Sequence, residues 1–403
     1  MGQSRCYHAV FIVTVICQTE YGVLLVTREK FRAINQNIST NKTAISEIKL
    51  QLKPKKPREA VKIKGKDIVV RKPKIVADLP SKVVLTDSTW QFVEIYLRSE
   101  KQDDALFYWE QAKNFYEATK SLSLVSKPLT AYYCFLNATK ALLEVTNTPY
   151  DLSHGVTGKK LEGRFNLINE VVKFQPAGVV SALGRYLGEH TQAGGEEFSL
   201  KDVFYNIPYI HRAFTITYGN APELFVPIIE PRFVFNKAEN KGWLEVKLEP
   251  EHSNARTLSK LMGFGLDPTY DNSESYTIRR NKKFKWEINS RVPTAQSLTK
   301  LTEYHTKMRK ELRYIYSPNE LWYIKRKDLA NCVIPKSTLT LTIGAMHRLS
   351  ELSRYNPQNL HKHLNKDASW LLSEFINKSF YQFIDQISSE ITGNDFRVTG
   401  FRA

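Results

Sequence analysis

The sequence predicts an α+β protein, mainly α-helical, in which a helical core is interrupted by a small antiparallel β-rich insertion and preceded by a basic N-terminal extension. Three observations predict this. Core-forming residues recur at spacings of three and four through Leu106, Trp109, Ala112, Tyr116 and Thr119, and again through Ile376, Phe380, Phe383, Ile384, Ile387 and Ile391, the period of one helix face. After Pro222 the pattern changes to short β-type runs at residues 224–229, 232–235, 244–248, 276–279 and 284–288, separated by Pro, Gly and Asn. The charge is also uneven: of a net +17 over 403 residues, residues 1–85 hold seventeen Lys/Arg against six Asp/Glu. The boundaries this implies are 1–85 for the basic extension, 86–221 for the first helical part, 222–335 for the β-rich insertion and 336–403 for the closing helices.

Taken in order, residues 10–17 and 22–27 read as a strand pair on their β-branched content. The apolar run follows Arg5 as a signal-peptide core would. However, Gln18-Thr19-Glu20 interrupts it far short of a membrane span, and no small-residue cleavage site follows. Cys6, Cys17, Cys134 and Cys332 are scattered, without a CxxC pair or a zinc spacing, which fits a reducing cytoplasm better than a disulfide framework. No membrane partner and no cofactor are expected. Residues 28–85 read as a linker with one or two short strands, near 68–70 and 82–85. Within it, Lys53-Pro54-Lys55-Lys56-Pro57-Arg58 and Arg71-Lys72-Pro73-Lys74 are proline-broken basic runs. Such runs are either solvated arms or polyanion contacts that bind by counterion release. Lys55, Lys56, Arg58, Arg71 and Lys72 are candidates for the second role.

Helical order begins at Asp87-Ser88, an N-cap pair ahead of Trp90, Val93 and Leu97. Ser126-Lys127-Pro128 opens a later helix with proline where its missing N–H leaves nothing unsatisfied. That helix is apolar around much of its circumference, from Leu129 to Leu143, and so belongs at the centre. Ser153-His154-Gly155-Val156-Thr157-Gly158, flanked by Lys159, Lys160 and Arg164, is a glycine-bounded loop that could cradle phosphate, but it lacks a GK[ST] continuation. Phe165, Ile168, Val171 and Val172 read as a helical stripe, residues 179–187 as a short helix, and Ser199 as the cap of another that Pro208 breaks. In the insertion, residues 279–286 (RRNKKFKW) read as a hairpin tip dense in positive charge with aromatics beside it. Arg279, Arg280, Lys282, Lys283 and Lys285 are therefore candidate nucleic-acid contacts, or simply a solvated hairpin. Lys307, Arg309, Lys310 and Arg313 form another basic helix-like face, and Lys325-Arg326-Lys327 follows a strand at 321–324. Ser337 or Thr338 caps a helix that Asn356-Pro357 stops, because the residue before proline avoids the helical region. The last helix spans residues 367–392, with Gly393 at its C-terminal cap.

Several of these stretches together resemble the YaaC-like family of bacterial proteins. They are residues 106–120 (LFYWEQAKNFYEATK), 127–143 (KPLTAYYCFLNATKALL), 153–156 (SHGV), 200–208 (LKDVFYNIP), 321–324 (LWYI), 352–357 (LSRYNP) and 374–376 (EFI), in order over roughly residues 87–393. The family is poorly characterised, so this resemblance implies a fold more than a mechanism.

A more distant resemblance is to HEPN-type helical domains, many of them metal-independent ribonucleases of toxin and antiviral systems. Their signature of arginine followed by histidine matches Arg354 and His361, with Asn356 between them. That likeness implies a HEPN-like core and a site shared across a homodimer. In it, His361 moves the proton of a ribose 2′-hydroxyl or leaving oxygen, Arg354 pairs with the phosphate oxygens and Asn356 assists. The competing role for Arg354 is to cap the carbonyls at its own helix end. No acidic or cysteine cluster accompanies His347, His361 and His363, so no metal site is assigned. Two functions follow: a HEPN-like ribonuclease in a bacterial toxin or phage-defence role acting on RNA, or a non-catalytic helical scaffold that binds nucleic acid or protein.

Overall fold

The computed structural model describes residues 15–19, 22–26, 28–52, 58–290, 292–317, 319 and 321–398, and the chain divides into two units, Met1–Lys56 and Pro57–Ala403. In the first unit Val15–Thr19 pairs antiparallel with Gly22–Val26, and helix α1, Arg28–Leu52, follows. The linker expected from residue 28 onward is thus corrected over its first half. Residues 28–52 contain no Gly or Pro, and Phe31, Ile34, Ile38, Ile45, Ile48 and Leu52 recur at helical spacing, a pattern masked by the surrounding charge. Lys53 to Pro57, including Lys55 and Lys56, lie outside the described residues.

The second unit is mixed α and β. Its helical part begins with α2 (Thr89–Ser99), α3 (Asp103–Thr119) and α4 (Lys127–Val145). Ser88 caps α2 by accepting the Gln91 N–H, as its position before an apolar run predicts. Helix α4 is central, packing against α3 and three later helices, and Ala131, Phe135, Ala138, Ala141 and Leu142 have no exposed surface. Short helices follow: α5 (Val179–Tyr186), α6 (Leu200–Tyr205, capped by Ser199), α7 (His211–Thr217) and α8 (Ala255–Lys260). After α9 (Ala295–Arg309) come α10 (Thr338–Tyr355, capped by Ser337), α11 (Pro357–Leu364) and α12 (Ser369–Thr392). Gly393 ends α12 at φ +72°, the left-handed value that glycine adopts without strain. Among the described residues no helix is long and apolar enough to cross a membrane.

The helical stripe expected from Phe165 to Val172 is corrected. Glu170–Phe174 is the middle strand of a three-stranded antiparallel sheet with Val156–Lys160 and Glu196–Ser199, and the sheet packs on α10. Adjacent Val171 and Val172 are both buried, as on a strand covered on both faces. The 153–158 segment is not an open phosphate loop either. Val156 to Gly158 are in this sheet, and the Gly158 N–H is taken by Glu351 at 3.1 Å. A Cβ at Gly158 would collide with Glu351 and Arg348, so glycine permits this close approach.

The β-rich part is one antiparallel sheet whose strands run in the spatial order Phe264–Leu266, Thr277–Arg280, Lys241–Leu248, Phe225–Asn236, Leu321–Lys325 and Leu312–Ile315. Helix α9 covers one face, with Leu301, Tyr304 and Met308 in the same core as Phe233 and Leu244. Residues 279–286 do not form a hairpin. Arg279 lies opposite Glu245 and Lys285 opposite Lys241, so both short strands run along the same neighbour. Burial of Ile278, Arg280, Phe284 and Trp286 sets this register, and the charged tip expected here is a bridge of three residues between two strands on one edge.

The segment before α2 also joins this body. Val84–Thr86 pairs in parallel with Phe396–Val398, and Glu59–Ala60 extends the large sheet. Between them the basic run at 71–74 threads the interior. The Arg71 amide donates to His305 Nε2 at 3.1 Å, the Lys72 amide to Asp395 at 2.8 Å, and the Ile75 amide to Glu390 at 3.2 Å.

Candidate polyanion-binding cleft

Four basic stretches that are far apart in sequence converge on one cleft of about 620 Å³. The end of α9 and the turn after it supply Lys307 and Lys310, and the strand that follows supplies Arg313. The bridge between the two sheet-edge strands supplies Arg280, Lys282 and Lys283. The strand at 321–325 ends in Lys325-Arg326-Lys327, and Lys336 and Ser337 stand at the start of α10. Lys74, Gly188 and Glu189 complete the wall. Eleven Lys/Arg line the cleft against two glutamates, Glu189 and Glu311. The sheet enforces this crowding, because Leu312–Ile315 and Leu321–Lys325 are antiparallel partners and α9 feeds directly into the first of them.

The cations form a rim and a floor. On the rim, Lys282, Lys307, Lys310 and Lys327 are exposed. Lys327 shares Glu311 with Arg280 (2.9 and 2.8 Å), and Lys283 is held by Glu239 at 3.0 Å. On the floor, Lys74 is 8% exposed and Lys325 is 6% exposed, which lysines rarely are unless paired. Among the described residues their ammonium groups reach only backbone carbonyls, Lys74 Nζ to Leu187 at 2.6 Å and Lys325 Nζ to Ile334 at 2.9 Å. Arg313, half-buried, donates to the Lys310 carbonyl at 2.9 Å. The other floor cations are matched by acids: Lys336 by Glu196 at 2.7 Å and Arg326 by Asp328 at 2.6 Å. Burial lowers Lys74 to about 8 despite the opposing field of Glu189, drives Lys325 well below the ordinary lysine range, and lowers Arg313 to about 10.

The candidate contacts read from the sequence are thereby sorted. Arg280, Lys282 and Lys283 line the cleft. Arg58 is instead spent inside the sheet, 3.2 Å from Glu245 and over the Tyr270 ring at 3.4 Å. Arg279 faces Asp267 at 3.9 Å, and Lys285 pairs with Glu287 at 2.9 Å. Arg71 and Lys72 are buried, Arg71 against Asp395 at 3.4 Å and Lys72 against Asp385 at 3.2 Å, so neither offers its charge to a polyanion. The 71–74 run is therefore corrected from a surface arm to an interior strap that contributes only Lys74 to the cleft. Sequence reasoning missed Lys74 and Lys336 as site residues. It saw Lys307, Lys310, Arg313 and Lys325–Lys327 as basic runs without joining them.

The proposed catalytic residues occupy the junction of α10 and α11. Arg354 is exposed with its guanidinium 5.0 Å from the Tyr355 ring centroid. Asn356 ends α10 and caps α11, its side-chain oxygen accepting the Asn359 N–H at 3.2 Å. His361 is exposed and within 3.2 Å of the Asn365 side chain. Among the described residues no hydrogen bond or ion pair joins Arg354 to His361.

The histidine next along α11 belongs to a different, enclosed cluster that the sequence did not reveal. His363 Nε2 lies 3.3 Å from Glu170, which also accepts two bonds from Arg348, at 3.1 and 2.6 Å. Glu351 takes the remaining Arg348 nitrogen at 2.8 Å. Burial pushes Glu170 up, but the bonds from His363 and Arg348 outweigh it and hold its carboxyl below the usual range.

A sequence-family model described as YaaC-like Protein matches residues 84–391. No curated protein and no solved structure matches the chain.

Proposed function

The chain belongs to the YaaC-like family, and we propose that this member binds nucleic acid along the basic cleft between α9, the large sheet and the start of α10. One observation carries the reading: eleven Lys/Arg from separate chain segments face one cleft with only two carboxylates among them. Rim lysines on mobile stems suit a phosphodiester backbone, which offers repeated single charges and needs no fixed geometry. Each backbone phosphate neutralised releases about 0.7 counterion from a single strand, so affinity should fall steeply with salt. Replacing Lys282, Lys307, Lys310 and Lys327 together by Gln should lower the slope of log K against log salt by about 3. Fluorescence anisotropy with a labelled single-stranded RNA measures it. Binding that ignores both salt and the four substitutions would remove this reading.

A second, catalytic reading is favoured by the joint exposure of Arg354 and His361 on consecutive helices hinged at Asn356. In it the exposed imidazole acts as proton carrier and the guanidinium neutralises the phosphate, as in the HEPN-type ribonucleases that the motif resembles. Purified protein incubated with RNA in the presence of a chelator, beside Arg354→Ala and His361→Ala, decides it. Cleavage lost in both variants supports the assignment, and cleavage surviving in both sinks it.

A further inference from the structure

The floor of the cleft is built differently from its rim, and the difference points to one chemical group. Lys74, Arg313 and Lys325 line this floor together, Arg313 lies close enough to lower the protonation of both lysines, and among the described residues none of the three has an ion-pair partner within 4 Å. Three carboxylates lie near enough to influence them. Glu390 faces Lys74 and Arg309, but its oxygens accept the amides of Lys74 and Ile75 and the Tyr186 hydroxyl. Glu311 faces Arg313 while being shared by Arg280 and Lys327. That leaves Glu189, which acts on all three cations. One of its oxygens accepts the Ser337 N–H at 2.8 Å, and the other is buried without a hydrogen bond. Cationic side chains thus outnumber the acids free to answer them on this floor, where desolvation makes uncompensated charge expensive.

We propose that this floor is a subsite for a dianionic phosphomonoester, the terminal phosphate of a nucleic-acid strand or of a free nucleotide, ligated by Lys74, Arg313 and Lys325. The proposal rests on the nucleic-acid reading of the cleft and adds that a strand enters end first. A phosphodiester carries one charge and two ester arms, so it satisfies the floor neither electrostatically nor sterically. A terminal phosphate brings two charges and three free oxygens. Arg313 can present paired N–H donors while the two lysines act as point charges. Ser337 and the N-terminal end of α10 face the same space, so the helix dipole adds to the attraction. The phosphate is dianionic above its second pKa of about 6. Lys74 loses its proton near 8 in the free protein. Burial also drives Lys325 well below the ordinary lysine range, so the preference grows as the phosphate gains its second charge and declines as either lysine loses its proton.

The test uses the full chain and one RNA sequence with a 5′-phosphate, with a 3′-phosphate and with neither, beside a nucleoside monophosphate. A terminal phosphate should tighten binding at least tenfold at pH 7, and Lys325→Met should bring that ratio close to one. Glu189→Gln keeps the acceptor for Ser337 and removes the competing charge, so it should increase the ratio; it carries the test if the lysine variant fails to fold. Equal affinity for phosphorylated and unphosphorylated strands overturns the subsite while leaving the nucleic-acid reading intact. Binding of the monophosphate alone, lost in Lys325→Met, supports the subsite and overturns the strand reading. Failure of every ligand to bind overturns both.

Discussion

The two ends of α10 solve opposite electrostatic problems. In its last two turns, Arg348 is buried with Glu170 and Glu351 on its nitrogens, and His363 takes the other oxygen of Glu170. Arg348, Glu170 and Glu351, the charges of this cluster, each have a counterpart within hydrogen-bond reach. At the N-terminal end, the side chains of Lys74, Arg313 and Lys325 are bonded, among the described residues, only to carbonyls, with Glu189 as their common acid. The first arrangement ties α10 and α11 to the three-stranded sheet and is complete. The second is enclosed and charged, and a ligand anion would complete it. Charge matching therefore separates the structural cluster from the proposed binding cluster.

The sharpest way to break this comparison is to remove one member from each. Glu170→Ala strands Arg348 and His363 in the interior and should reduce unfolding free energy by about 3–5 kcal/mol in urea denaturation. Lys325→Met removes an unpaired buried charge and puts an apolar stem of similar shape in its place, so it should leave stability unchanged or raise it. Similar losses for the two variants would mean that the floor lysine is a structural element like Arg348. Arg354→Ala and His361→Ala give the smallest expected change. Both side chains are exposed, so stability should stay within about 0.5 kcal/mol of the parent, which keeps their nuclease assay free of unfolding artefacts.

How far these features could be read in the sequence follows from the range over which each is determined. Helices α2, α3, α4, α10 and α12 were legible because periodicity and caps are local. Ser88, Ser337 and Gly393 sit where their capping chemistry requires. Helix α1 was hidden by its charge, and α11 by the proline that begins it: Pro357 reads as a stop for α10 yet also serves as the first residue of a new helix. Glu170–Phe174 failed as a helix because two adjacent buried valines fit either period, and the covering faces come from distant chain. The cleft shows the same limit. Composition marks Lys282, Lys310 and Lys327 as basic but cannot bring them together, because the pairing of Leu312–Ile315 with Leu321–Lys325 does that. Nor does anything local distinguish Arg71 and Lys72, whose side chains meet Asp395 and Asp385, from Lys74, whose ammonium meets the Leu187 carbonyl.

The most direct measurement of the central claim is lysine footprinting. Acetylation of the full chain, with and without a saturating single-stranded RNA, should show Lys282, Lys307, Lys310 and Lys327 protected together. Exposed lysines elsewhere, such as Lys237 and Lys378, should keep their reactivity. Protection spread evenly over all exposed lysines, or absent from the cleft while RNA is bound, would contradict the assignment of this cleft as the binding site.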